Sequence, residues 1–241
     1  MPASNLEIDP AQRRGAAPAA TLVVIASLAY VAAVACWIAH DVWAGRVARQ
    51  LAVLRDAPIV PLGTNAVMYR IGAADGVGNR AAFELILARR PVQWAAGSAD
   101  RLAHADTILP GRALGGLATA EVRERLAAAR HLYAIGIAGE EGAPAEALYL
   151  AGQRARQTAL WLAAIVPGGA PIDMLNFGRT IESCVACTTA DVTWERPVAV
   201  AAVTASAPGT DLAEALAAAM GSVRNVPPPA TYSAFAVTRH R

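Results

Sequence analysis

Lysine is absent from this chain; all 21 of its basic residues are arginine. Aromatic residues are scarce at 5%, so a core has to be built from Ala, Val, Leu and Ile. With a net charge of only +2, nucleic acid is not expected as a partner, because it calls for a concentrated basic face. Cysteine is nearly absent too: Cys36 sits in an apolar run, and Cys184 and Cys187 form one CxxC. A structural zinc site takes four ligands. No second CxxC exists, and His40, His104, His131 and His240 are scattered, so no metal is expected. Neither a Ser-His-Asp order nor a paired-carboxylate motif stands out. No catalytic residue and no cofactor are therefore assigned, and the chain is read as a non-enzyme. Gly76-Val77-Gly78 is a lone GxG without a strand–helix context, and reads as a plain turn.

Charge is missing from one long stretch. Ala17 to Ala39 carries none and is apolar throughout. Roughly 20 such residues cross a bilayer core as a helix. The run exceeds the usual core of a signal peptide, and no small-x-small cleavage site follows it. Trp37 and Trp43 stand at its end, where interface aromatics are found. An uncleaved single-pass anchor is expected. Arg13 and Arg14 precede it and Arg46, Arg49 and Arg55 follow, so flanking charge leaves orientation open. A large C-terminal domain translocates largely regardless of modest flanking charge, which favours the outer side.

Five segments follow from composition and periodicity. Residues 1–16 form a polar tail, 17–39 the membrane helix, and 40–90 a membrane-proximal helix and linker, within which AVMYRI reads as strand-like and 81–88 as a short helix or strand. Residues 91–222 form an α+β domain, and 223–241 a C-terminal tail. Within the domain, PVQWAA reads as a strand and 107–118 as a glycine-punctuated loop. Thr119 reads as the N-cap of a helix. HLYAIGIA from His131 is a buried strand, and 146–166 the strongest helix. Ile172 to Phe177 is a third strand, PVAVAAVT a central one, and 211–220 an amphipathic helix. The last residues, TYSAFAVTR, read as an edge strand. The order is β-α-β-α-β-β with a final helix, and implies a sandwich with helices on one sheet face.

That order resembles the outer-membrane protein A-like (OmpA-like) domain, which binds peptidoglycan in many Gram-negative envelope proteins. The family's second strand ends in Gly before a turn, and its next helix carries Leu-x-x-x-Arg-Ala. Here Tyr133 to Gly136 is followed by Gly142, Leu150, Arg154, Ala155, Thr158 and Leu162. The third strand, IDMLNFG, ends in Gly178, and Arg196 is similar to the end of the family's Asn-Arg-Arg signature. The resemblance implies that Arg154 helps hold a carboxylate of the peptide stem, with an Asp partner taking the ammonium. Gly139 stands at the Asp position, with Glu140 and Glu141 next to it, and Ala147 replaces the usual Asn. Tentative ligand residues are Arg154, Glu140, Glu141 and Arg196. Peptidoglycan binding is expected to be weak or lost.

The implied protein is a single-pass inner-membrane scaffold or tether. Its domain would be periplasmic, and another envelope protein would be its partner. Motor stators with this domain need an acidic residue within the membrane; the run has none, so a proton-driven stator is excluded. In the periplasm Cys184 and Cys187 would pair as a disulfide. Two alternatives stand: a cytoplasmic-facing membrane adaptor, or a thiol redox enzyme using Cys184 and Cys187. The second is disfavoured because the pair precedes a strand, whereas thioredoxin-type pairs open a helix.

Overall fold

The computed structural model describes residues 55–140, 142–166 and 168–240. The expected tail and membrane run, residues 1–39, lie outside them. Among the described residues, no helix is long and apolar enough to cross a membrane.

The fold is α+β, centred on a mixed sheet. Seven strands contribute: β1 (Ile59–Leu62), β2 (Ala66–Ala74), β3 (Arg80–Ala88), β7 (His131–Gly136), β8 (Ile172–Asn176), β9 (Ala199–Ser206) and β10 (Ala236–Arg239). Their spatial order is β1-β2-β3-β9-β7-β8-β10. Only β7 and β8 run parallel, because helix α3 (Pro144–Ile165) carries the chain back between them. A separate sheet holds β4 (Val92–Trp94), β5 (Arg101–His104) and β6 (Thr107–Pro110). The remaining helices are α1 (Leu114–Leu117), α2 (Ala120–Ala127) and α4 (Leu212–Gly221).

PVQWAA holds a strand, β4, as expected, but β4 belongs to the small sheet and not to the main one. From residue 91 the order is β4, β5, β6, α1, α2, β7, α3, β8, β9, α4, β10, so the expected β-α-β-α-β-β succession is not contained in one sheet; in the main sheet the strand ahead of α2 is β3. Val122 and Leu126 of α2, with Ala159 and Leu162 of α3, pack on one sheet face against Met68, Ile86, Leu132 and Val200. The opposite face is covered as well, which corrects the one-sided sandwich. There Ala215, Leu216, Ala219 and Met220 of α4 meet Tyr69, Phe83, Leu85 and Ile135, joined by Phe177, Val192 and Trp194 from the loop before β9. Burial on both faces explains why β3 and β9 lack a two-residue alternation.

Three further expectations change. Residues 59–88 are not linker: they form β1, β2 and β3, and the β2–β3 turn includes Gly76-Val77-Gly78. Asp75 holds that turn, its Oδ1 accepting from the N–H of Val77 at 3.1 Å and of Asn79 at 2.8 Å. Residues 107–118 are not all loop, since β6 pairs with β5 and α1 follows. Residues 223–241 are not a free tail. Val226 and Tyr232 are buried in the core, and β10, which lies within the expected edge strand TYSAFAVTR, pairs with β8 at the end of the sheet.

Local chemistry sets the helix starts. Thr119 Oγ1 accepts from Val122 N–H at 3.3 Å to cap α2. Asp211 Oδ1 accepts from Ala213 and Glu214 N–H, both at 3.0 Å, to cap α4. Pro144 opens α3, and Glu146 accepts from Ala143 N–H at 3.2 Å. The scarcity of aromatics is met by close approach. Ala147, Ala151, Ala155 and Ala159 line the buried side of α3, and Gly136 of β7 has no room for a side chain against the Ala151 carbonyl. Glycine at that point lets the helix backbone sit directly on the strand.

Candidate functional site

Arg154 lies on the alanine side of α3, so the helical period that buries Ala147, Ala151 and Ala155 buries it too. It is fully enclosed. Burying a guanidinium is costly unless its N–H groups are satisfied. Here Nη1 donates to the Ile137 carbonyl at 2.7 Å, Nη2 to Ala95 at 2.9 Å and Nε to Ser98 at 2.9 Å. Arg154 therefore ties α3 to the end of β7 and to the loop between β4 and β5. The guanidinium of Arg154, expected at a ligand site, is thus buried, and segment 95–98 supplies two of the backbone oxygens it meets. Ser98 is itself held, its hydroxyl donating to Asp100 at 2.6 Å and accepting from Arg101 N–H at 3.1 Å. That hydroxyl, with smaller help from Arg101, keeps the Asp100 carboxyl below its usual range despite partial desolvation.

Gly139 has φ +73°, and a Cβ there would stand 3.0 Å from the Glu195 carbonyl and 3.2 Å from Arg196 Cγ. The turn after β7 is pressed against residues 195 and 196. Both the backbone angle and the tight space favour glycine at the position where the resemblance would place Asp. Glu140 is exposed, and its Oε1 accepts from the Ser183 hydroxyl at 3.1 Å. Glu141 lies outside the described residues. Arg196 is half-buried, with its stem beside Gly139 and its carbonyl accepting from Trp94 N–H at 2.9 Å. The structure thus brings Arg196 and Glu140 to the same turn, while Arg154 serves the interior.

Cys184 and Cys187 are joined as a disulfide with their Cα atoms 5.3 Å apart. Cys187 is buried in the core with Val192 and Trp194, and Cys184 is half-buried. Beside this bridge lies a cleft of about 420 Å³. Trp194, Pro227 and Tyr232, all buried, form its floor, and Glu182, Val185 and Glu195 stand on its exposed rim. Tyr232 stacks on Phe177 with centroids 4.8 Å apart. Burial pushes its phenol far above the ordinary range. The sequence offered no sign of this cleft, because 180–188, 194–195 and 227–232 meet only through the fold.

A second group also escaped sequence reasoning. His131 Nε2 lies 3.1 Å from Asp173 Oδ2 across β7 and β8, with the Tyr133 ring 4.9 Å from the imidazole. Burial pushes the Tyr133 phenol up to about 12, and Asp173 and Asp211 add to it. Among the described residues no group of three or more His, Cys, Asp or Glu side chains could hold a metal ion.

No protein-family model, no curated protein and no solved structure matches this chain.

Proposed function

We propose that this chain is a non-enzymatic, single-pass inner-membrane protein whose periplasmic domain is OmpA-like and acts as a scaffold for another envelope protein. The carrying observation is the uninterrupted run α2, β7, α3, β8, β9, with β7, β8 and β9 in one sheet and α2 and α3 on one of its faces. It supports the OmpA-like reading, although the covered opposite face and the extra strands depart from a simple sandwich. The capture of Arg154 by Ala95, Ser98 and Ile137 carbonyls supports the loss of peptidoglycan binding. So does Gly139, where the left-handed backbone and the close approach of residues 195 and 196 disfavour an acidic side chain. The uncharged run from Ala17 to Ala39 supports the anchor. The disulfide is in keeping with an oxidising compartment.

Two measurements test this reading. A reporter fused to the C-terminus should be active only outside the cytoplasm, and alkylation of the whole chain without reductant should find Cys184 and Cys187 blocked. A cytoplasmic reporter with both thiols reactive selects the cytoplasmic-facing adaptor instead. In a pull-down with purified sacculi, the chain should stay in the supernatant. Retention on sacculi would show that peptidoglycan binding survives.

A further inference from the structure

Among the described residues, the charged side chains that line the cleft beside the disulfide are Glu182 and Glu195, both acidic, and no basic side chain lines it. The neighbouring Arg196 turns its stem toward Gly139 instead. Glu140 stands at the edge, holding Ser183. Beneath the carboxylates the floor is apolar and aromatic, from Trp194, Pro227 and Tyr232. Val185, which lines the cleft from the rim, is 86% exposed, a large apolar side chain offered to solvent. A volume of about 420 Å³ falls within the range of ligand-binding clefts.

We infer that this cleft is a docking site for a basic segment of a protein partner, one arginine or lysine side chain of which enters between Glu182 and Glu195. The chemistry fits at both ends of such a side chain. Its alkyl stem lies against an apolar floor while its cationic head stays with the carboxylates at the wet rim. An aromatic floor favours a cation further. Residues on either side of the entering side chain meet Val185 and Thr188, which widen the contact beyond a single charge pair. The disulfide sets one wall, since Cys184 lines the cleft while Cys187 is anchored in the core. The inference deepens the scaffold reading and rests on it for the partner being a protein. It is independent of which side of the membrane the domain occupies.

The test uses the full chain in detergent and two fluorescein-labelled glycine–serine peptides, one carrying two arginines and the other two citrullines. Citrulline keeps the shape and removes the charge. Fluorescence polarisation should show saturable binding of the arginine peptide and at least tenfold weaker binding of the citrulline peptide. Glu182→Gln with Glu195→Gln should weaken the arginine peptide at least tenfold, whereas Glu124→Gln, on the solvent side of α2, should leave it unchanged. Val185→Arg places a cation on the rim at a fully solvated position and should abolish binding without unfolding the domain. The inference is overturned if the arginine peptide does not saturate, if citrulline binds equally, or if the rim variants bind like the parent. None of these outcomes touches the reporter fusion or the sacculus pull-down, so cleft and scaffold reading fail separately.

Discussion

Arg154 shows how one side chain can change meaning between sequence and fold. A conserved-looking spacing on an alanine-rich helix suits an exposed ligand arm, and the same spacing suits a brace pointing inward. Burial and three carbonyl partners favour the brace. Replacing it takes a donor from the Ile137 and Ser98 carbonyls in the interior, each of which costs roughly 1–3 kcal/mol when left unsatisfied, whereas the Ala95 carbonyl keeps the Ser98 N–H at 3.1 Å. Arg154→Leu is therefore expected to destabilise the domain by at least ~2 kcal/mol in chemical denaturation. Arg154→Lys should recover little, because one ammonium cannot span acceptors that the planar fork reaches from three nitrogens. A variant as stable as the parent would contradict the bracing role. The position and type of this residue were legible in the sequence. Its partners were not: Ser98 and Ala95 lie 56 and 59 residues away, and a backbone carbonyl leaves no mark in a sequence. Gly139 was legible as a departure from the family pattern, but its reason, the pressure of residues 195 and 196, belongs to the fold.

Elements with a strong period and clear ends were readable. Helix α3 has an apolar stripe and Pro144 at its start, α4 has Asp211, and β7 and β8 are apolar runs bounded by turn residues. Of the first three strands, β2 was legible as the strand-like run AVMYRI, β3 was left between helix and strand, and β1 was missed, each for a physical reason. β1 is a four-residue edge containing Pro61, and β3 is apolar on both faces, so Ala81 to Ala88 fits a helix as well as a strand. Asp75 joins two such elements. Its Oδ1 holds the β2–β3 turn, and its Oδ2 accepts from Asp211 N–H at 2.9 Å, at the start of α4. Desolvation alone would raise its pKa. The N–H groups of Asp211, Asn79 and Val77 outweigh that and hold the carboxyl below its ordinary value of 3.8. A depressed carboxyl contributes stability that is fully present above the unfolded value and is lost as pH falls through the folded one. Between neutral pH and about pH 5 its contribution should be constant. Below pH 3.8 it should fade. Asp75→Asn should accordingly lower the melting temperature at pH 7, and the gap to the parent should narrow in acid. A gap independent of pH would show that the carboxylate charge does not hold the turn.

At the scale of the molecule, the chain divides into Met1–Val53 and Leu54–Arg241. The second unit closes on itself. Where the chain enters it, Arg224 donates to both Asp56 oxygens at 3.0 and 2.8 Å, and Asn225 exchanges two hydrogen bonds with the Ala57 backbone at 2.7 and 3.0 Å. The first described strand and the loop after α4 are thus fastened together, and both sheet faces are covered by residues of this unit. The open sheet edges are blunted too: β1 carries Pro61, and β10 is four residues long and ends in Arg239. Exposed large apolar residues such as Val77, Ile108, Tyr149 and Val185 come from different elements. A domain closed in this way is expected to fold without the uncharged run from Ala17 to Ala39. A chain beginning at residue 54 is therefore expected to purify without detergent and to melt in one cooperative transition. The full chain should partition into membranes and resist extraction at high salt. If the shortened chain aggregates or melts without cooperativity, residues 1–53 contribute to the fold itself. If the full chain is soluble without detergent, the run from Ala17 to Ala39 is no anchor.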